Sequence, residues 1–336
     1  MHWHLIKSRF WRAALFVVCL LLLLEVRVTA ASVVAVPTNY IPGTLAYHVL
    51  TNSLASTNGF NPASGLCLQE TLPGYQWNTR LWLYKFPEIT SINSGLGSAA
   101  GGQSPGTYGM QLITRRHAIQ AHHVSWANPV GTPIAFTDRR GVVFTNVVQS
   151  MTNSGFDINV VQFRDEFPRQ FVPFPLLPTN YAQYLAPVTN GQTATVRLPV
   201  IAGTYDRHLY FMTLLGVRND PFGGLRTNAI FGAITFDGGM AGGDGHWLTN
   251  QIGLGWGQTE APYFIKRGDS SRPVMMLVGS HLVLLSSIYT FGMAPDYASA
   301  APAIQAAIDA LTEAAGGSNG QYRIKILDLS SFPLPP

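Results

Sequence analysis

Apolar and polar residues along this chain group into short runs rather than at one sustained helical period. From residue 108 onward, stretches rich in β-branched and apolar side chains recur at 110–114, 142–148, 157–163, 193–200, 210–215, 229–236, 275–279 and 282–290. Gly, Pro, Asn, Asp and Ser punctuate the gaps. Short strands separated by such turn residues predict an all-β barrel or sandwich. One segment departs from this texture. Between Ala298 and Ala315, the residues Ile304, Ala307, Ile308 and Leu311 keep the spacing of one helix face and predict a C-terminal helix. A strand-like stretch at 322–327 and a Pro-rich tail follow it. The Pro-rich residues 167–187 interrupt the strand pattern and predict a linker between two β units. Upstream, residues 31–105 read as irregular, with one apolar patch at 77–92 and a Gly/Ser-rich loop at 93–106. The glycines between Gly238 and Gly245 precede no Lys-Ser/Thr signature, so they read as a surface loop rather than a phosphate cradle.

The amino terminus changes how charge is read. Lys7, Arg9 and Arg12 precede twelve apolar residues, Ala13 to Leu24, and Val28-Thr29-Ala30 offers small residues for a cut after Ala30. This is the layout of a cleavable signal peptide, and twelve residues fall short of the roughly 20 that span a bilayer. A retained signal anchor is the alternative, because Glu25 and Arg27 crowd the cut. Residues 1–30 carry +3 of the formal +4, leaving +1 for the remainder. No Lys/Arg-rich run follows, so no nucleic acid partner is expected, nor any membrane contact beyond targeting. Charged residues are only 11% of the chain, and with many Asn, Ser, Thr, Gly and Pro this suits an extracytoplasmic β-rich protein, secreted or periplasmic. Cys19 leaves with the signal, so Cys67 has no partner for a disulfide and reads as a small buried apolar residue.

Three fragments carry candidate chemistry. Gly268-Asp269-Ser270-Ser271-Arg272-Pro273 presents a serine in a glycine-led turn. A serine hydroxyl needs a base to take its proton and fixed donors for the oxyanion it generates, and Gly268 and Ser270 can offer backbone N–H groups to one spot. Alone, such a tripeptide is more often a plain turn. Ala121-His122-His123 follows a strand, a basic turn and a second short strand, and a neutral imidazole there can accept a serine proton. A lone histidine is more often structural. The His-His pair also admits a metal reading, but His208, His246 and His281 are scattered without a ligand motif, so no metal is expected. Asp157 stands at the mouth of an apolar strand, where a carboxylate can orient the imidazole. Asp138 and Asp165 compete for that role, but their charged neighbours suggest solvated loops.

Taken together, these fragments resemble the trypsin-like serine protease family of the chymotrypsin fold. Residues 114–124 resemble its histidine motif, Asp157-Ile158 its Asp-Ile strand, and Gly268 to Pro273 its Gly-Asp-Ser-Gly-Gly-Pro motif. The order His, Asp, Ser is the family's order. The resemblance covers roughly residues 105–295 and implies two packed antiparallel six-stranded β-barrels with a C-terminal helix. On that basis the chain divides into a signal peptide at 1–30, an irregular, pro-like segment at 31–105, a protease domain at 106–295 with a break near 167–190, and a helix and tail at 296–336. The resemblance implies His123 as base, in preference to His122, Asp157 as orienter, Ser270 as nucleophile, and Gly268 with Ser270 as oxyanion donors. Phe264 falls where the family's specificity pocket has its base, so a basic side chain is not the expected target and a small or uncharged one is. Thr290-Phe291-Gly292 resembles the segment that pairs with substrate backbone. Ser271-Arg272 replaces the family's two glycines.

The function expected is a secreted serine endopeptidase acting on protein or peptide substrates through an acyl-enzyme, with no cofactor. The alternative is a catalytically weakened homologue that binds peptides or a surface partner through the same cleft. A third class, a β-rich structural protein, has to explain three motifs in family order.

Overall fold

Short runs rich in apolar residues become the strands, and their period of two decides which cluster each side chain joins. The computed structural model describes residues 41–56, 67–71, 74–77, 79, 82–93, 109–155, 157–185, 198–203, 209–218, 233–237, 270–287 and 293–335. The expected signal peptide at 1–30 and the glycine-rich loop at 238–245 lie outside them.

Among the described residues the strands form three antiparallel groups. β1 (Cys67–Thr71) and β2 (Gly74–Trp77) make a small hairpin. The next five are β3 (Gln111–Leu112), β4 (His117–Ala121), β5 (Pro133–Thr137), β6 (Val143–Gly155) and β7 (Ile158–Phe163), in the spatial order β3-β4-β7-β6-β5. The last six are β8 (Leu198–Gly203), β9 (Leu209–Arg218), β10 (Ala233–Asp237), β11 (Pro273–Val278), β12 (His281–Ser287) and β13 (Met293–Pro295), ordered β12-β11-β8-β9-β10-β13. Among the described residues the α-helices are α1 (Leu45–Ser56), the single turn α2 (Ala182–Leu185) and the C-terminal α3 (Tyr297–Ala314). The fold is mainly β, with one five-stranded and one six-stranded sheet.

Alternation along β7 sorts its side chains into two cores. Ile158 and Val160 join a cluster shared with Met275, Leu277, Leu282 and Leu284 of the second sheet and with Ile304 and Ile308 of α3. Val161 and Phe163 face the other way, into a cluster with Phe136, Phe167 and Phe171. Across β11 and β12 the pattern repeats: Val274, Met276, Val283 and Leu285 pack with Leu45 and Val49 of α1. Each sheet therefore has one face on a common core and one on a core of its own. The aromatic cluster is held largely edge-on, with Phe163 and Phe167 crossing at 84° and 5.1 Å between centroids, an arrangement that favours the ring quadrupoles.

The Pro-rich connector does run between the two sheets, but buried rather than over the surface. Phe167, Phe174, Leu176, Leu177 and Tyr181 are fully buried. Phe174 N donates to Leu112 O at 2.9 Å, and Leu284 N donates to Pro175 O at 3.0 Å, so the connector is laced to both sheets. The described part of residues 31–105 is more ordered than its composition suggests. It contributes α1, the β1–β2 hairpin and two 3-10 helices (Trp82–Lys85 and Pro87–Ser91), and buries Trp77, Leu83, Phe86, Ile89 and Ile92 in the common core. At 322–327 the expected strand is reduced to one parallel bridge, Leu176 to Ile326.

Candidate active site

The antiparallel register of β4 and β7 pairs Ala121 with Ile158. One step further along the same register, His122 faces Asp157, and His122 N donates to Asp157 O at 2.8 Å. There both chains leave the sheet. After Ala121 the backbone tightens into a 3-10 helix, His122–Ala127. The far end of that helix is pinned back to β4, because Asn128 Nδ2 donates to Gln120 Oε1 at 3.0 Å between two fully buried side chains.

Asp157 does not continue as a strand. Its φ is 60°, in the left-handed region that non-glycine residues seldom occupy, though Asp and Asn do so more than most. This turns the carboxylate onto the first turn of the 3-10 helix. Oδ1 accepts from His123 N at 2.7 Å, and Oδ2 accepts from His123 Nδ1 at 2.6 Å. A carboxylate can only accept, so Nδ1 carries a proton, and in the neutral imidazole Nε2 then carries the lone pair. The histidine side chain is 32% exposed and the aspartate 17%, so the imidazole stays open to solvent while its anchor is largely covered. His122 is turned elsewhere, with Nδ1 at 2.9 Å from Asn159 Oδ1. The structure thus brings the Asp157 carboxylate to His123, while His122 meets only the Asp157 backbone.

The serine turn reaches the same neighbourhood from the second sheet. Ser270 and Ser271 form the turn before Pro273 opens β11. Ser270 is 9% exposed, whereas Ser271 is fully buried. The Ser271 hydroxyl is committed on both sides: it accepts from Ala121 N at 2.8 Å and donates to Gly109 O at 2.7 Å. With its hydroxyl so engaged, Ser271 is the poorer nucleophile candidate of the two adjacent serines. Ala121 lies two residues before His123, so this bond ties the serine turn to the strand that delivers the histidine. Ser271 also has a φ of 67°, and among the described residues it and Asp157 are the only non-glycines with positive φ. Backbone strain of this kind collects at sites where the surroundings over-determine it.

Several of these partners were not foreseen from the sequence. Gln111 Nε2 donates to Ser271 O at 2.8 Å, Ser287 Oγ donates to Gln111 Oε1 at 3.1 Å, and Ser287 Oγ and Tyr297 Oη are 2.6 Å apart. Burial pushes the Tyr297 hydroxyl well up; its bond to Ser287 opposes this and the nearby Asp157 charge adds to it. A single polar Gln111 between Met110 and Leu112 was the available signal for this network, since a buried amide inside an apolar run needs partners. Arg272, which stands where the family has a glycine, is buried at 5% exposure. Asp138, expected in a solvated loop, is also buried, and closes its own turn by accepting from Arg140 N and Val142 N at 2.9 Å each.

Gly268, Phe264, Thr290, Phe291 and Gly292 lie outside the described residues. Among the described residues, no group of three or more His, Cys, Asp or Glu is placed to hold a metal ion. No family model matches the sequence, and no curated protein matches it.

Proposed function

We propose that this chain is an exported serine endopeptidase of the trypsin-like kind, cleaving peptide bonds through an acyl-enzyme. The observation that carries the reading is the double grip of Asp157 on His123, through backbone N at 2.7 Å and Nδ1 at 2.6 Å, from a left-handed backbone position. Asp157 lies in the turn between β6 and β7, where a left-handed backbone is common, and from there its carboxylate is aimed at the imidazole. That grip keeps the imidazole in the one tautomer that can accept a proton at Nε2. In this reading His123 takes the Ser270 proton as Oγ attacks the substrate carbonyl. The backbone amides of Gly268 and Ser270 receive the oxyanion. Collapse expels the amine, which takes the proton from His123, and water then releases the acyl group by the same route. No cofactor is needed for any step.

The sheets support the same reading at the level of fold. Each has one face on the common core and one on a private core, as expected of two barrels packed side by side, and we assign them to the two six-stranded barrels of that fold. The first thirty residues serve as the export signal, and Phe264 points to a preference for small or uncharged side chains.

A fluorophosphonate probe tests the reading directly. Folded wild-type protein is expected to label at Ser270, and Ser270→Ala and His123→Ala are each expected to abolish labelling with an unchanged melting temperature. Folded wild-type protein that stays unlabelled removes the enzyme and leaves the peptide-binding alternative.

A further inference from the structure

The β3–β4 ladder ends in an irregularity whose cause lies in the other sheet. Its register pairs Gln111 with Ile119 and Leu112 with Ala118. At the turn end, Ile113 N donates to His117 O at 3.0 Å, so the odd-numbered residues of β3 sit in hydrogen-bonded pairs. In an antiparallel ladder such pairs recur every second residue. The next one is Gly109 with Ala121. There Ala121 N would donate to Gly109 O, but the Ser271 hydroxyl stands between them, accepting from Ala121 N at 2.8 Å and donating to Gly109 O at 2.7 Å. A Cβ on residue 109 would overlap the Ser271 carbonyl, so glycine is what lets the two backbones meet. Gln111 Nε2 holds that same carbonyl at 2.8 Å.

We propose that Ser271 is a positioning residue for the nucleophile: its hydroxyl replaces a ladder hydrogen bond and so fixes the Ser270 turn to the strand that carries His123. The inference rests on Ser270 being the nucleophile. It assigns a purpose to the residue at which this chain leaves the family's glycine. A glycine accepts the left-handed backbone at no cost but cannot bridge the ladder. Serine accepts strain at a φ of 67° and supplies the bridge. The serine is one residue from Ser270 and its acceptor bond ends two residues from His123, so the two reacting side chains are related through one short rigid path. Gln111 adds a second tie on the same turn.

The test compares the rate of fluorophosphonate labelling at Ser270 in wild type, Ser271→Gly and Ser271→Cys, using the full chain. Glycine relieves the backbone strain while deleting the bridge, so its melting temperature is expected to stay near that of wild type. Cysteine keeps the size and backbone preference of serine but bonds only weakly. Labelling is expected to slow more than tenfold in Ser271→Gly and by an intermediate factor in Ser271→Cys. The pH midpoint of the labelling rate should not move, because the His123–Asp157 pair is untouched. A merely structural serine predicts the reverse: altered melting with unaltered labelling of the folded fraction. Should the glycine variant fail to fold, the cysteine variant decides alone. Labelling of folded variants at the wild-type rate overturns the inference and leaves the hydrolase reading standing. Folded wild type that does not label overturns both.

Discussion

Asp157 is the residue at which backbone and chemistry constrain each other most tightly. Its left-handed φ of 60° is what lets both carboxylate oxygens reach His123. Asparagine tolerates that conformation as well as aspartate does, so Asp157→Asn keeps the turn. The amide oxygen can still accept from His123 N, but the amide nitrogen then faces Nδ1 and can only donate. The imidazole responds by carrying its proton on Nε2, the wrong tautomer for a base. Turnover of a peptide substrate, and labelling of Ser270, should fall on the order of 10⁴-fold with little loss of thermal stability. Near-wild-type rates in the folded variant would remove Asp157 from the mechanism. Asp157→Ala differs, because alanine has no such tolerance for positive φ, and its melting temperature should drop as well.

At the scale of elements, α3 shows what the sequence could and could not disclose. The apolar spacing of Ile304, Ala307, Ile308 and Leu311 announced a helix, and these residues do form its buried face. β7 was equally legible, since its β-branched residues need burial on both faces. β6 was legible only in its first half: beyond Val148 it is polar and partly exposed, and pairing with β7 rather than hydrophobicity keeps it a strand. α1 was missed because its apolar residues are spread around the helix instead of keeping to one face, although Leu45 and Val49 still find the second sheet. In the candidate site, His123, Asp157 and Ser270 could be found from local motifs. The Gly109–Ser271–Ala121 bridge could not, because it depends on two segments about 150 residues apart meeting in register. The start of α3 yields a prediction of its own. Asp296 caps the helix by accepting from Ala298 N at 3.0 Å, yet it is buried, and burial raises its carboxyl to about 7 against the opposing backbone bonds from Ala298 and Ser299. A carboxyl whose folded value is raised favours the folded state fully below its ordinary value of 3.8, and that benefit is lost as pH climbs through about 7. Asp296→Asn keeps the cap oxygen without the charge. Its melting temperature should exceed that of wild type at pH 8, with little difference at pH 4. A variant less stable than wild type at pH 8 would mean the ionised carboxylate supports the fold.

For the molecule as a whole, the relevant fact is that a second buried group works against Asp296 over the same pH range. His117 is fully buried between the first sheet and α3, edge-on to Tyr322 at 5.1 Å. Thr114 Oγ1 already accepts from Arg116 N and His117 N, so its proton goes to His117 Nδ1 at 2.9 Å. Thr312 Oγ1 donates to Ile308 O, which leaves it to accept from His117 Nε2 at 3.5 Å. The imidazole is therefore held neutral. Burial, helped by the Arg116 charge and opposed by Asp309, lowers it from 6.5 to about 3. Between those values the unfolded chain binds a proton that the folded one refuses, so stability rises with pH by roughly 1.4 kcal/mol per unit. Asp296 gives the opposite slope from 3.8 to about 7. Their overlap runs from roughly pH 4 to 6.5, and there the two contributions offset one another. His117→Gln removes the rising slope, so its urea midpoint should decline from pH 4 to pH 6.5. Asp296→Asn removes the falling one, and its midpoint should climb over the same interval. The double variant should return to the shallow profile of wild type, at lower stability because glutamine packs less well against Tyr322. Midpoints measured at pH 4, 5, 6 and 6.5 for the four proteins check this. Parallel profiles in all four would mean that neither group changes its protonation on folding.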